Sequence, residues 1–225
     1  MTGEASWHRL EHSAYAADIP LWIELASSAS GQIVEVGAGC GRVASALSSA
    51  GYQVVAVERD PDLAAALRAA RYPDSLIRVV EADPFQSSAL QPIDASLYLF
   101  PLLVLQLVAA ELGLDLMMER LREMLPQSAT AAVCLSYPFA QENNVILDPS
   151  PATELPRSSL VSLKTSQGKL GLERIRVDRS TSSVRIEELA ELQADALSRG
   201  LGRPIREVRP IPAAEGVQSM QVVVL

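Results

Sequence analysis

Short apolar runs alternate along this chain with segments whose apolar residues recur every three or four positions. Ile33-Val34-Glu35-Val36, Val54-Val55-Ala56-Val57 and Ile77-Arg78-Val79-Val80 are runs of the first kind; Val43 to Ala50 and Asp62 to Arg71 are segments of the second. A run bounded by turn residues suits a strand covered on both faces, and the three-to-four spacing suits a helix packed along one side. Two more strands are expected at Ile93 to Pro101 and at Thr130 to Tyr137. Between them Leu103 to Leu125 reads as helical, broken near Gly113 and stopped by Pro126. Strands that alternate with helices predict an α/β fold, a Rossmann-like doubly wound sheet with helices on both faces.

The rhythm breaks after the fifth strand. Pro138, Pro149, Pro151 and Pro156 punctuate the next stretch. Leu160 to Lys164 and Leu172 to Val177 then alternate around Ser166-Gln167-Gly168, the pattern of a hairpin. Ile186 to Arg199 is expected to be an amphipathic helix closed by Gly200, and Pro204 to Pro212 and Val217 to Leu225 to be two last strands. The expected product is a mostly parallel seven-stranded sheet with an antiparallel last strand and a small insertion after strand 5. The whole chain, 1–225, is expected to form one domain. Its parts would be an N-terminal helical segment (1–30), a cofactor-binding half (31–137), a substrate-side insertion (138–185) and a closing helix with strands (186–225).

Chemistry concentrates where the first strand ends. Glycines stand at 37, 39 and 41, directly before the helical segment. Strand, tight turn and helix in that order bring backbone close to an adenosine-bearing ligand, and glycine permits positive φ and leaves no Cβ in the way. A dinucleotide fold wants G-x-G-x-x-G, whose last glycine would fall on Arg42; the chain has G-x-G-x-G instead. Glu58 ends the second strand about twenty residues beyond the loop, where a carboxylate reaches ribose hydroxyls. A solvated carboxylate next to the helix start at Pro61 is the plainer alternative.

Composition narrows the partners. No apolar stretch reaches the eighteen or so residues that span a bilayer, and the N-terminus lacks a basic start followed by an apolar core, so no membrane role and a cytoplasmic location are expected. Net charge is −8 and no Lys/Arg cluster forms a stripe, which argues against nucleic acid as a partner. Cys40 and Cys134 are the only cysteines, His8 and His12 the only histidines, and no metal-ligand spacing appears. A small, uncharged or apolar substrate fits this profile, and a homo-oligomer is left open.

Glu35-Val36-Gly37-Ala38-Gly39-Cys40-Gly41-Arg42 together with Glu58 resembles the class I S-adenosylmethionine-dependent methyltransferases. Glu81-Ala82-Asp83-Pro84-Phe85 resembles the family's acidic loop beside adenine, and Ile93-Asp94-Ala95-Ser96-Leu97-Tyr98-Leu99-Phe100-Pro101 its fourth strand and the segment opening onto substrate. Ala17 to Ala26 resembles the helix before the first strand in bacterial small-molecule methyltransferases. The resemblance covers residues 15–138. It implies S-adenosylmethionine as cofactor, with Gly37, Ala38, Gly39 and Gly41 along its methionine end and Glu35 holding its amino group. Glu58 would take the ribose and Asp83 would accept from the adenine amino group; Arg59, Pro84, Phe85 and Phe100 complete the cofactor-binding candidates, Phe100 with Pro101 also pointing toward the substrate side. Phe85 is open between stacking on the ring and packing in the core. It further implies that the N-terminal segment folds over the ligand. For the acceptor side His12, Tyr15 and Tyr137 are the catalytic candidates, with His8 beside them.

Three activities are then in play. The first is methyl transfer to oxygen or nitrogen of a small molecule. A non-methylating member of the same fold is the second, supported by the thin set of acids and bases. A nicotinamide-dependent oxidoreductase is the third. Arg42 in place of the third glycine and the lack of a Tyr-x-x-x-Lys pair count against it.

Overall fold

The computed structural model describes residues 3–12, 15–70, 76–86, 93–136, 145–147, 158–166, 169–178, 181–211 and 220–225. Two helices come first, α1 (Gly3–His12) and α2 (Ile19–Ser27), followed by β1 (Ile33–Val36), α3 (Arg42–Ser49), β2 (Val54–Glu58), α4 (Pro61–Ala69) and β3 (Ile77–Glu81). Then come β4 (Leu97–Phe100), α5 (Val104–Leu112), α6 (Leu114–Met124) and β5 (Thr130–Ser136). Every residue of β1 and of β2 is buried, as runs covered on both faces require. α4 starts where sequence signals place it. Pro61 supplies its first turn, and Asp60 caps it by accepting from the amides of Asp62 (2.8 Å) and Leu63 (3.1 Å). The expected break near Gly113 is there, at a glycine with φ +83° that separates α5 from α6.

The main sheet runs β10-β11-β5-β4-β1-β2-β3, where β10 is Glu207–Pro210 and β11 is Met220–Val224. β1, β2, β3, β4 and β5 are parallel, and β11 pairs antiparallel with both β5 and β10. Strand order reverses between β1 and β4, and the crevice outside the carboxyl ends there is where such sheets bind ligands. Alternate side chains feed two cores. Ile33, Val54, Leu97 and Leu99 pack with Trp22 and Leu47 on one face; Val34, Val36, Tyr98 and Phe100 pack with Leu105, Met117 and Leu121 on the other.

Between β5 and the last helix the chain builds a second, four-stranded antiparallel sheet, ordered β6 (Val145–Leu147), β7 (Ser158–Ser166), β8 (Lys169–Asp178) and β9 (Thr181–Leu189). The expected hairpin is its centre, with Ser166 opposite Lys169. The expected helix at Ile186 to Arg199 is corrected. Its first part is β9, paired along its length to β8, and the helix α7 covers only Ala194–Leu201. Gln106 ties this excursion to the main sheet. Fully buried in α5, its side-chain amide donates to the carbonyls of Ser136 and Ala190 and accepts from the Ser136 amide at 2.9 Å. Among the described residues no helix is long and apolar enough to cross a membrane.

Candidate active site

The glycine loop closes over the end of β2. The amides of Gly37 and Ala38 both donate to the Val57 carbonyl, at 2.9 and 3.1 Å, and the Gly41 amide donates to Ala38. Gly37, Gly39 and Gly41 all have positive φ, 73°, 57° and 88°, so the turn is one that L side chains would strain. A Cβ on Gly37 would come within 2.8 Å of Val104 at the start of α5. The loop is thus wedged between β2 and the segment leaving β4. That segment is itself strained, with Leu102 and Leu103 at φ 44° and 64°.

Two carboxylates meet at the loop. Glu58 is 6% exposed; its Oε2 accepts from the Gly39 amide at 2.7 Å and its Oε1 from the Asp60 amide at 2.8 Å. Burial raises its pKa, and the backbone donors of Asp60, Gly39 and Arg59 only moderate that rise. Glu35 is 2% exposed on the α3 side of β1, and its Oε2 has no hydrogen-bond partner. Burial pushes this carboxyl up to about 8, against the opposing pull of Arg42 and the Ala44 amide. A buried, unpartnered carboxyl oxygen beside a loop stripped of Cβ atoms fits an incoming ammonium-bearing ligand with a ribose. Glu35 and Glu58 are the groups that would hold S-adenosylmethionine by those two parts.

The remaining expected site residues divide. Asp83 shapes its own turn, accepting from the Phe85 amide at 3.0 Å with Pro84 between them, and lies 3.7 Å from the Arg59 guanidinium. Arg59 also bonds Glu111 at 2.7 Å. Phe85 and Phe100 are both buried in the core cluster that holds Val36 and Val57. Tyr137 lies outside the described residues.

The N-terminal candidates gather above the loop. The rings of His8 and His12 lie 4.4 Å apart and tilted by 52°. Burial drives His8 down to about 4 and His12 well below its usual value, so both are neutral near pH 7. Tyr15 carries the Arg42 guanidinium over its ring at 5.1 Å, its hydroxyl is buried without a partner, and burial raises its pKa. Arg42 in turn donates twice to the fully buried Asp18, at 2.5 and 2.7 Å, and Asp18 also accepts from Trp22 Nε1 at 2.8 Å. A cavity of about 490 Å3 opens between these residues, lined by His8, Arg9, His12, Tyr15, Cys40 and Arg42 among others. Sequence spacing did not reveal how close His8 comes to the loop. A Cβ on Gly39 would lie 2.3 Å from its Cε1.

Comparison with known proteins agrees with this geometry. The family model described as ribosomal RNA adenine dimethylase matches residues 18–142. No curated protein sequence matches the chain. Among solved structures, the CcbJ methyltransferase from Streptomyces caelestis is 18% identical with a TM-score of 0.69, and the match covers 92% of this chain and 93% of that one. DesVI of Streptomyces venezuelae is 11% identical with a TM-score of 0.66, covering 99% and 98%. The S-adenosylmethionine-bound CalS10 from Micromonospora echinaspora, described as an amino pentose methyltransferase, is 12% identical with a TM-score of 0.62, covering 98% and 93%. At these identities the structures establish the fold. The family match spans more than half of the chain and takes in the glycine loop, Glu35 and Glu58. The chain therefore belongs to the ribosomal RNA adenine dimethylase family and is an S-adenosylmethionine-dependent methyltransferase.

Proposed function

We propose that this methyltransferase acts on oxygen or nitrogen of a small molecule, with Glu35 holding the cofactor's amino group and Glu58 its ribose. The cofactor supplies an activated methyl group, so the chain's own task is alignment and exclusion of water. What carries the small-molecule reading is the extent of the match. The dimethylase model stops at residue 142, before the second sheet, whereas the likeness to CcbJ, DesVI and the amino pentose methyltransferase runs over the cofactor half and the second sheet together. The net charge of −8 supports the same reading, because RNA binding draws on neutralised phosphates. The acceptor would sit beyond the carboxyl ends of β4 and β5, against residues 138–185 and the N-terminal segment. His12 and Tyr15 would orient it or accept its proton, with Tyr137, outside the described residues, as the further candidate. The neutrality of the two histidines suits a proton acceptor.

The family match favours one other reading, methylation of adenine in ribosomal RNA, and the charge balance alone does not dismiss it. Incubation with methyl-labelled S-adenosylmethionine and, separately, amino sugars, small hydroxylated acceptors and ribosomal RNA decides between them. Label and a gain of ~14 Da in a small acceptor is the expected result. Label confined to RNA would transfer the assignment to the second reading.

A further inference from the structure

The helix over the glycine loop is also fastened to the second sheet. α1 presents His8 and the Ala5 carbonyl to the loop, the first against Gly39 and the second 3.6 Å from Cys40 Sγ. Glu4 and Glu11, one turn to either side of His8 on the same face, meet β8 of the second sheet through a dense ionic cluster. Arg176 donates from Nε to Glu11 Oε1 at 2.6 Å and from Nη2 to Glu11 Oε2 at 3.0 Å. The same guanidinium takes both oxygens of Glu4, at 2.8 and 2.9 Å, and lies 5.6 Å above the Trp7 ring. Arg174 adds a bond to Glu11 at 3.0 Å and one to Glu187 on β9 at 3.0 Å. Glu11 is 3% exposed, so releasing it would strand a buried carboxylate, a costly change that keeps α1 where it is.

This placement conflicts with a ligand at the loop. The space that a Cβ on Gly39 would fill, which a backbone-hugging cofactor needs, is taken by the imidazole of His8. The imidazole must leave this space before ligand covers the loop, and the helix that carries it is held by Arg174 and Arg176. We propose that α1 is a latch on the cofactor crevice, bolted to β8 by Arg176, so that the state of the second sheet governs entry and release of the cofactor. The inference rests on the cofactor reading given above. It also predicts an order of events. A ligand that moves the second sheet changes the cofactor's exchange rate without touching it, and by linkage bound cofactor alters affinity for that ligand.

The test uses the full chain and S-adenosylhomocysteine. Calorimetry gives its affinity for the wild type, and stopped-flow tryptophan fluorescence gives its association and dissociation rates, with Trp7 placed to report on the bolt. Arg176→Gln should raise the association rate at least tenfold. His8→Ala, which leaves every ionic bond in place, should tighten binding several-fold, and the double variant should gain less than the two effects combined, because both act through one helix. Hydrogen exchange over residues 3–12 should be faster in Arg176→Gln. If that variant does not fold, Glu4→Gln removes only the outer half of the bolt and should shift the same rate in the same direction. A wild type that binds while Arg176→Gln and His8→Ala keep its rates and affinity within twofold overturns the latch and leaves the cofactor reading standing. Failure of the wild type and of both variants to bind would overturn the cofactor reading, and the latch with it.

Discussion

The amide of Gly39 donates to Glu58 Oε2 at 2.7 Å, which joins the middle glycine of the loop to the carboxylate that ends the neighbouring strand. The two residues are nineteen apart in sequence and are brought together by the in-register pairing of β1 with β2, in which Val36 faces Val57. One carboxylate oxygen thus steadies the loop and the other steadies the start of α4 through Asp60. A ribose that takes this carboxylate competes with bonds that already shape the site.

Gly39→Val is expected to abolish binding of S-adenosylhomocysteine. The new side chain meets His8 at once, and a β-branched residue at φ +57° adds strain of about 1–2 kcal/mol. The melting temperature should fall as well. A folded variant with wild-type affinity by calorimetry would place the ligand elsewhere.

Glu35 makes both stability and binding depend on pH. Its pKa is raised from the ordinary carboxylate value of 4.5 to about 8 in the folded chain. The native state therefore keeps a proton that the unfolded chain gives up. The contribution is full below about 4.5, declines as pH rises, and is gone above about 8. Glu35→Gln should flatten the decline in melting temperature across this window. A cofactor ammonium at Glu35 favours the ionised form, so wild-type binding at pH 7 should release a proton and strengthen between pH 6 and 8. Titrations in buffers of different ionisation enthalpy measure that proton, and its absence would remove Glu35 from the site.

Asp18 carries structural weight. It is fully buried, accepts twice from Arg42, and satisfies the indole N–H of the fully buried Trp22. Asp18→Ala leaves the indole without its acceptor and the guanidinium without its counter-charge, with only the Tyr15 carbonyl still accepting from Arg42, and should cost about 3–5 kcal/mol of stability. Asp18→Asn keeps an acceptor for Trp22 and should cost less. Thermal melts of the two variants give the ranking, and equal melting temperatures would refute the role.

Much of this was readable from local pattern. The buried runs of β1 and β2, the glycines between β1 and α3, the Asp60-Pro61 start of α4 and the break at Gly113 all declare themselves within a few residues. β9 did not. Ile186, Leu189 and Ala190 keep a helical spacing, yet Ser182, Val184, Ile186 and Glu188 also alternate as a strand. Pairing with β8, a contact that spacing does not encode, decides for the strand. Its outer side chains Val184 and Ile186 are 61% and 68% exposed, an unusual place for such residues and one that misleads a reading by burial. Phe85 was ambiguous for a similar reason, since an aromatic side chain beside a loop serves core and ligand alike. The bolt on α1 was beyond reach, because Glu4 and Arg176 lie 172 residues apart and only the folded second sheet brings them together.

The crevice of Gly39 and Glu58 is the proposed seat of S-adenosylmethionine. Calorimetric titration of the wild type and of Glu58→Ala with S-adenosylhomocysteine and with NAD puts that assignment to the test. The wild type should bind S-adenosylhomocysteine and not NAD, since Arg42 stands where a dinucleotide loop needs glycine. Glu58→Ala should weaken the nucleoside's binding by about 1.5–3 kcal/mol, the scale of hydrogen bonds to a charged group, while remaining folded. Tighter binding of NAD, or an unchanged dissociation constant in a folded Glu58→Ala protein, would contradict it.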